Sequence, residues 1–263
     1  MPGKKYLFKK GWLVLVTILL IFVISLSGYA IADEIKNPLA IDMVIVIDNN
    51  IYMNHHQRQD NRLDPNGLRF DAAAALIGMC DAQYSRATYF MFSDDLYAYS
   101  ERNTESHVQK INAEDIAFFN ISLPDNRPQR QNLMNTLNSD NIRNGKGTRK
   151  GVEIGKALSA AVDVEIKNQD NGNRKVILLL SSGSKDISDN SASLAREAKA
   201  RAVENGIEIY TVALKESTNA KLLQDLATKP TNYQFVANVE DLIDVYRTFF
   251  ADMIGSKIGR AHV

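Results

Sequence analysis

The chain has 263 residues, enough for one complete α/β domain and a targeting segment. Hydrophobic residues make up 45% and charged residues 24%, proportions that exclude an intrinsically disordered chain. Acidic and basic residues balance at 31 each, but Lys4, Lys5, Lys9 and Lys10 all precede the first acid, Asp33. The rest of the chain is therefore mildly acidic, and a nucleic-acid partner has no electrostatic support.

An apolar run follows the four lysines. Residues 12–32 are long enough to span a bilayer core of roughly 30 Å as a helix, and the small residues at 30–32 are typical of a cleavage site. We therefore predict an N-terminal apolar helix in residues 1–32, either a signal peptide or a membrane anchor, and a connector at 33–37. In both cases the positive flank stays in the cytoplasm and the remainder is exported. Because Cys80 is the only cysteine, no internal disulfide can form, which favours a bacterial cell surface.

Strand and helix patterns alternate from Ile41 onward. The segment IDMVIVID (41–48) has the Val and Ile content of a strand covered on both faces, and GLRFDAAAALIGMCD (67–81) is typical of a buried helix. The later predicted elements are strand RATYFMFS, edge strand DLYAYSE, a loop at 103–128, helix RQNLMNTLNS, a helix capped by Thr148, strand RKVILLLSS, helix SDNSASLAREAKARAVEN, strand IEIYTVAL, helix NAKLLQDLAT, strand NYQFVA and helix VEDLIDVYRTFFADMIG. This alternation predicts an α/β fold with a doubly wound, mostly parallel sheet and one antiparallel edge strand.

Several of these segments, in this order, resemble a von Willebrand factor A-type domain. IVIDNNIYM stands where that family has a strand followed by Asp-x-Ser-x-Ser, KGTRKGVEIGKAL resembles its Gly-Thr loop and helix, and VILLLSSG resembles its strand ending in Thr-Asp-Gly. The resemblance covers residues 38–254, which we expect to form one domain. It implies a module that binds partners at the carboxyl ends of its parallel strands, where open α/β sheets generally bind ligands.

The resemblance also implies a metal-ion-dependent adhesion site in a degenerate form. Asp48 matches the family's first aspartate and Thr148 its threonine, whereas Asn50 and Tyr52 stand where serines are usual and Ser182 stands where the last aspartate is usual. Mg²⁺ prefers about six oxygen ligands with carboxylates supplying charge, and only one carboxylate is left here. We therefore expect no cofactor; Asp48, Asn50 and Thr148 are the weak candidates if Mg²⁺ does bind.

Basic residues follow the threonine. Arg149 and Lys150 lie at a predicted helix start, where positive charge opposes the helix dipole, so an anion is expected nearby. We hypothesise that the guanidinium of Arg149 or Arg143 pairs with Asp48 in place of a cation. The alternatives left open are that both basic residues are solvated, or that a distorted metal site persists.

The leading interpretation is a non-enzymatic, surface-associated module that binds a protein partner without a metal. The predicted contact surface, called the rim below, comprises residues 49–61, 143–150 and 182–189.

An alternative is a scaffold domain of a longer membrane protein. The ending IGRAHV resembles a translated sequencing adapter, so we interpret 258–263 as a non-native tail of a truncated chain. A third alternative is nucleotide binding by the Gly-rich loop NGKGTRKG, which lacks the ending of a phosphate-binding loop. The pair His55–His56 lacks the spaced partners of a zinc site.

Overall fold

The structure, a computed structural model, describes residues 40–50, 53, 63–80, 84–99, 108–121, 126–139, 152–182, 187–214 and 219–255. Its strands are β1 Ile41–Asp48, β2 Arg86–Phe92, β3 Leu96–Tyr99, β4 Val108–Lys110, β5 Phe119–Asn120, β6 Arg174–Ser181, β7 Glu208–Leu214 and β8 Tyr233–Val236. Its helices are α1 Leu68–Met79, α2 Arg127–Leu137, α3 Ile154–Lys167, α4 Asp189–Glu204, α5 Ala220–Leu226 and α6 Leu242–Met253. The predicted N-terminal helix lies outside these residues, and none of the described helices is long and apolar enough to cross a membrane.

The described strands form one sheet in the order β4-β3-β2-β1-β6-β7-β8, with β5 paired to β2. Strands β1, β2, β6, β7 and β8 run parallel. The chain builds the sheet outward from β1 in one direction and then from β6 in the other. A crevice therefore lies between the carboxyl ends of β1 and β6, the position where such sheets bind ligands.

Helices cover both faces of the sheet. On one face Ile45 and Ile47 of β1 join a core with α1 and α6, and on the other Val44 and Val46 join a core with α3, α4 and α5. Every residue of β1 is buried, which explains why residues 43–47 are all apolar rather than alternating. The predicted doubly wound, mostly parallel fold is confirmed.

Three antiparallel strands extend the sheet near β2. Strand β3 pairs with β2, as predicted for the segment DLYAYSE. Strands β4 and β5 lie within the region 103–128, which was predicted to be loop with short helical pieces. They contain three and two residues, too few to produce a periodic pattern that sequence reasoning could recognise.

Helix α3 begins at Ile154, with Glu153 at its cap position; the predicted cap Thr148 lies outside the described residues. Tertiary contacts hold Val152 and Glu153 in a non-helical conformation. The backbone N–H of Glu153 donates to the carbonyl oxygen of Ser93 at 2.6 Å. The Val152 side chain is buried in the apolar core that also contains the buried side chains of α3. The end of β2, rather than a side-chain cap, therefore sets where this helix starts.

A buried charge cluster lies at the amino edge of the sheet. Asp42 of β1 is paired in register with Arg86 of β2 and Lys175 of β6, and its carboxylate accepts hydrogen bonds from both, as well as from Asn171 (2.9 Å) and Asn173 (2.8 Å). Burial raises the pKa of Asp42, but these four donors together outweigh burial and hold it below its usual value. The ionised form of Asp42 is therefore built into the fold.

Helix α3 brings a second carboxyl group to the same cluster. Glu165 is fully buried, and no described residue hydrogen-bonds to either of its carboxyl oxygens. Burial, followed by the Asp42 carboxylate, raises the pKa of Glu165 well above its usual value; Lys175, Arg86 and the nearby Val176 amide offset only part of this. Two carboxyl groups in one cluster are thus pushed toward opposite protonation states.

The chain enters and leaves the domain at this amino edge. Strand β1 begins there, and Arg174 at the start of β6 donates to the carbonyl oxygens of Asp252 (3.1 Å) and Met253 at the end of α6. Its guanidinium also donates to the hydroxyl of Tyr210 (3.3 Å). The carboxyl edge is therefore formed by the loops that follow the parallel strands.

Tyr246 supplies a stability prediction. Its side chain is fully buried between α6 and α1, and its hydroxyl has no hydrogen-bond partner among the described residues. A buried hydroxyl without a partner costs about 1–3 kcal/mol, whereas phenylalanine keeps the ring and removes the polar atom. We expect Tyr246→Phe to raise the free energy of unfolding by about 1 kcal/mol, measured as a higher guanidinium midpoint at unchanged slope.

Tyr210→Phe is the matched control. The Tyr210 hydroxyl donates to Asp252 Oδ2 at 2.6 Å and accepts from Arg174, so removing it breaks existing hydrogen bonds. We expect this variant to be destabilised by about 1 kcal/mol. If Tyr246→Phe were also destabilised, the Tyr246 hydroxyl would have a partner after all, and the prediction would be wrong.

Candidate functional site at the carboxyl edge

The register of the sheet brings the ends of β1 and β6 together. Ile47 is paired with Leu180, so Asp48, the last residue of β1, lies beside Ser181, the last residue of β6. Asn50 and Ser182 follow in the two adjoining turns. The structure therefore brings Asp48, Asn50 and Ser182 together at the carboxyl edge of the sheet.

The Asp48 carboxylate is surrounded by hydrogen-bond donors from this chain. Its Oδ2 accepts from the backbone N–H of Ser182 (2.9 Å), the Ser182 hydroxyl (2.8 Å) and the Ser181 hydroxyl (3.1 Å). Its Oδ1 accepts from the backbone N–H of Asn50 at 3.0 Å. Oδ2 therefore carries three donors and has no acceptor capacity left, whereas Oδ1 carries one donor and keeps a lone pair.

Asn50 completes the network. Its side-chain N–H donates a hydrogen bond to the Ser182 hydroxyl at 2.9 Å, and that hydroxyl in turn donates a hydrogen bond to Asp48. Asp48, Asn50, Ser181 and Ser182 are all buried. Burial raises the pKa of Asp48, while the donors from Ser182, Asn50 and Ser181 offset part of the shift.

A buried arginine contacts the turn that follows β1. Arg69 of α1 is fully buried; its Nη1 donates to Asp64 Oδ2 at 2.6 Å and its Nη2 donates to Asn49 Oδ1 at 2.8 Å. Its Cζ lies 4.2 Å from the centre of the Phe70 ring. Burial lowers the pKa of Arg69, and the carboxylates of Asp64 and Asp48 raise it in part.

Asp64 holds this arrangement together. Its Oδ1 accepts from the backbone N–H of Leu68 (2.7 Å) and its Oδ2 from the backbone N–H of Arg69 (3.1 Å). Asp64 thus satisfies free N–H groups at the start of α1, where negative charge is favourable, while it also pairs with the arginine side chain. The helix start and the arginine are fixed by the same carboxylate.

The neighbouring side of the site is fixed by Asp95, which follows β2. Its carboxylate forms ion pairs with Lys156 of α3 and Lys110 of β4. Burial alone would raise the pKa of Asp95, but the two lysines lower it to about 2. Asp95 therefore connects the end of β2 to α3, which is consistent with a structural carboxylate rather than an acid or base.

Four predicted site residues lie outside the described residues: Tyr52, Thr148, Arg149 and Lys150. Arg143 lies outside them as well, so the predicted pairing of Arg149 or Arg143 with Asp48 stays a hypothesis. Sequence reasoning missed three contributors that the structure does describe: Asp64, Arg69 and Ser181. A signal for Arg69 was present, because an arginine inside a helix that is otherwise apolar on most sides requires a buried partner.

The described residues do not fit a Mg²⁺ site. Asp48 is the one carboxylate of the implied ligand set among them, and its oxygens are already engaged by four donors. Asn50 donates its side-chain N–H to Ser182, so only its side-chain oxygen, a neutral ligand, is left to approach a cation. Within the described part of the chain, no three His, Cys, Asp or Glu side chains are grouped to hold a metal.

The fold is similar to several solved structures. Proximal thread matrix protein 1 from the mussel byssus gives a TM-score of 0.58 at 12% identity, covering 81% of this chain and 47% of that protein. The pilus adhesin SpaC from Lactobacillus rhamnosus GG gives 0.55 at 15%, covering 82% and 30%. An aerotolerance-related membrane protein from Bacteroides fragilis gives 0.53 at 13%, covering 82% and 99%. The chain thus spans about half the length of the mussel protein and less of the adhesin.

Sequence comparison supplies the family. No curated protein matches the chain significantly in sequence. The family described as von Willebrand factor type A domain matches residues 89–248, more than half of the chain. With its parallel sheet, its helices on both faces and its crevice at the end of β1, the chain belongs to the von Willebrand factor type A domain family.

Proposed function

We propose that this domain is an exported, surface-associated binding module that holds a protein partner at its carboxyl edge without a metal ion. It acts as an interaction module and not as an enzyme. The partner contacts the rim, including the predicted residues Tyr52, Thr148, Arg149 and Lys150. The N-terminal segment attaches the chain to the membrane if it is not cleaved.

The closed network around Asp48 is the observation that carries this proposal. In a metal-dependent module the partner completes the coordination of the ion, which requires ligand oxygens with lone pairs to spare. Here three donors saturate Oδ2 of Asp48 and a fourth binds Oδ1, so most of the acceptor capacity of the carboxylate is used within the chain. Recognition then depends on the side chains of the surrounding loops, because Asp48 is fully buried and cannot reach a partner itself.

The ends of the described sheet and helices support a role for this edge. The start of β1 and the end of α6 both lie at the amino edge, opposite the proposed contact surface. Among proteins with a similar fold, SpaC is a pilus adhesin and the Bacteroides fragilis protein is a membrane protein. Both descriptions are compatible with a binding module at a cell surface.

Charge reversal in the rim tests the proposal. The immobilised chain is exposed to extracellular protein from the source cells, and the captured proteins are compared with those captured by Arg149→Glu/Lys150→Glu. We expect the specifically captured protein to be lost, because two reversed charges turn an attractive contact surface into a repulsive one.

A matched control reverses two charges at the amino edge. Lys167 and Arg201 lie in the last turns of α3 and α4; Lys167 is exposed, and the ion pair of Arg201 with Asp163 is exposed and of little energetic value. The variant Lys167→Glu/Arg201→Glu should capture the same protein as the unaltered chain. Equal capture by the rim variant and this control would show that the rim is not the contact surface.

A metal-dependent adhesion module is a second candidate. One structure of the mussel protein is described as having a zinc-occupied MIDAS motif, so the fold accepts metal in that protein. A partner captured only in the presence of Mg²⁺ or Mn²⁺, and released by chelator, would favour this candidate. A scaffold domain of a longer membrane protein is the third; capture that survives all rim substitutions, with the partner bound elsewhere, would favour it.

A further inference from the structure

We propose that the open edge of the sheet at β8 binds an extended, positively charged segment of a partner protein as an added strand. The surface, called the β8 groove below, consists of β8 and the side of α6 that lies next to it. The β8 groove shares no residue with the rim, so binding there is independent of the proposed function.

Strand β8 is the last strand in the order of described strands. It pairs in parallel with β7 on one side, and no described strand lies on its other side. An edge strand presents unpaired backbone N–H and C=O groups, to which an extended segment of another chain can add. Lysine and proline often prevent such pairing at edge strands, and Tyr233–Val236 contains neither.

The topology of the sheet argues against an occupant from this chain. Helix α1 leads from β1 toward β2 and packs on the same face as α6, whereas α4 and α5 lead toward β8 on the opposite face. A parallel strand that followed α6 and lay outside β8 would need a crossover of the opposite hand to these. Because left-handed crossovers are rare, we infer that the added strand belongs to another molecule.

A cavity of ≈ 310 Å³ lies between Gln234 of β8 and one face of α6. The α6 residues that line it are spaced at i, i+3, i+4, i+7 and i+8, as expected for a single helix face: Asp241, Asp244, Val245, Thr248 and Phe249. Val245 and Phe249 provide apolar surface, and the two aspartates are exposed. The side chains of an added strand that point toward α6 would therefore enter a partly apolar, acidic cavity.

The opposite face of β8 offers a different surface. Successive side chains of a strand point to opposite faces, so Phe235 lies on the face away from Gln234 and α6. Phe235 is 40% exposed, and an apolar side chain of an added strand would cover it. The β8 groove thus fits a strand in which basic residues toward α6 alternate with apolar residues toward Phe235.

The charge of the β8 groove favours a basic partner over a second copy of this chain. Asp244 forms an exposed ion pair with Arg247 at 2.8 Å, and the side chain of Asp241 makes no capping hydrogen bond to α6. Two copies that paired their β8 strands about a twofold axis would place both α6 helices on one face, with their aspartates facing each other. Like charges oppose that arrangement, whereas lysine or arginine side chains complement it.

Peptide binding to the full chain tests this inference. Three labelled, acetylated hexapeptides are compared by fluorescence anisotropy: alternating lysine and valine, alternating glutamate and valine, and the lysine–valine peptide N-methylated at every residue. We expect the first to bind at least about tenfold more tightly than the others, since the second has the wrong charge and the third lacks backbone donors. Equal binding of all three peptides, or no binding of the first, would overturn the proposal.

A pair of double variants locates the binding surface. Asp241→Asn/Asp244→Asn removes the acidic charge of the β8 groove, and asparagine is well tolerated at a helix start. Its matched control, Asp163→Asn/Glu197→Gln, removes two exposed carboxylates from α3 and α4, which pack on the opposite face of the sheet.

We expect the groove variant to bind the lysine–valine peptide about fivefold more weakly at low salt, and the control variant to bind it as the unaltered chain does. Equal losses in both variants would show that the peptide responds to overall charge, and the β8 groove would not be its site. A dimer of the chain that excludes the peptide would show that a second copy covers this edge, which also contradicts the proposal.

Discussion

A chain with Gly155 replaced by alanine is expected to lose about 3 kcal/mol of unfolding free energy. Gly155 lies in the first turn of α3, where that helix meets the start of α4. A Cβ at this position would overlap the carbonyl oxygen of Ser191 and lie 2.7 Å from Leu194 Cβ. Since the first obstacle is backbone, the two helices must separate, and the buried hydrogen bond from the Gly155 N–H to the Ser191 hydroxyl (3.0 Å) is strained as they do. Alanine's better helix propensity, worth at most about 1 kcal/mol, does not compensate.

Gly78→Ala is the control for this prediction. Gly78 lies in α1, and a Cβ there would first meet the terminal methyl of Met134 at 3.2 Å, the flexible end of a side chain that can move. We expect its unfolding free energy to stay within about 0.5 kcal/mol of the unaltered chain, since gained helix propensity offsets the small displacement. Urea denaturation of both variants gives the comparison, and similar stabilities for the two would mean that α3 and α4 are not in tight contact.

The order of elements and the fold class follow from the sequence because buried parallel strands produce continuous apolar runs. β1 and β6 are examples, and the amphipathic pattern of α4 with Ser188 as its cap and Gly206 after its end is another. The meeting of Asp48 and Ser182 follows from the same logic, since carboxyl ends of adjacent parallel strands lie at one edge. These features depend on local pattern or on topology alone.

Other features depend on strand register and tertiary contacts, which cannot be predicted from the pattern of a single sequence. Asp42, Arg86 and Lys175 form one cluster because two strand pairings place them at the same level. Arg69 reaches the Asp48 turn because Asp64 fixes the start of α1. In each case a charged residue within an apolar segment was the visible signal, and its partner was knowable only from three-dimensional packing.

Asp42→Asn is expected to destabilise the domain by about 3–5 kcal/mol, the usual cost of removing one partner from a buried ion pair. The amide of asparagine would turn N–H groups toward donors that need an acceptor, and the buried Lys175 would lose its counter-charge.

The low pKa of Asp42 also determines how the stability of the domain depends on pH. Its contribution is fully present above the pKa of an unfolded aspartate, near 4, and is lost as the pH falls through the lower folded value. The acid-induced loss of stability should therefore be shallower in the variant, as followed by denaturant unfolding at several pH values.

Glu165 makes this prediction sharper, because it can replace the missing charge. The Asp42 carboxylate is one of the causes that keep Glu165 neutral, so removing it favours ionisation of Glu165 beside Lys175 and Arg86. In a Glu165→Gln background no such replacement is possible, and Asp42→Asn should cost more than in the unaltered chain when both are measured near neutral pH. Strictly additive losses would mean that the two carboxyl groups do not share one cluster of charge. A loss of under about 1 kcal/mol from Asp42→Asn in both backgrounds would mean that the cluster contributes little to stability.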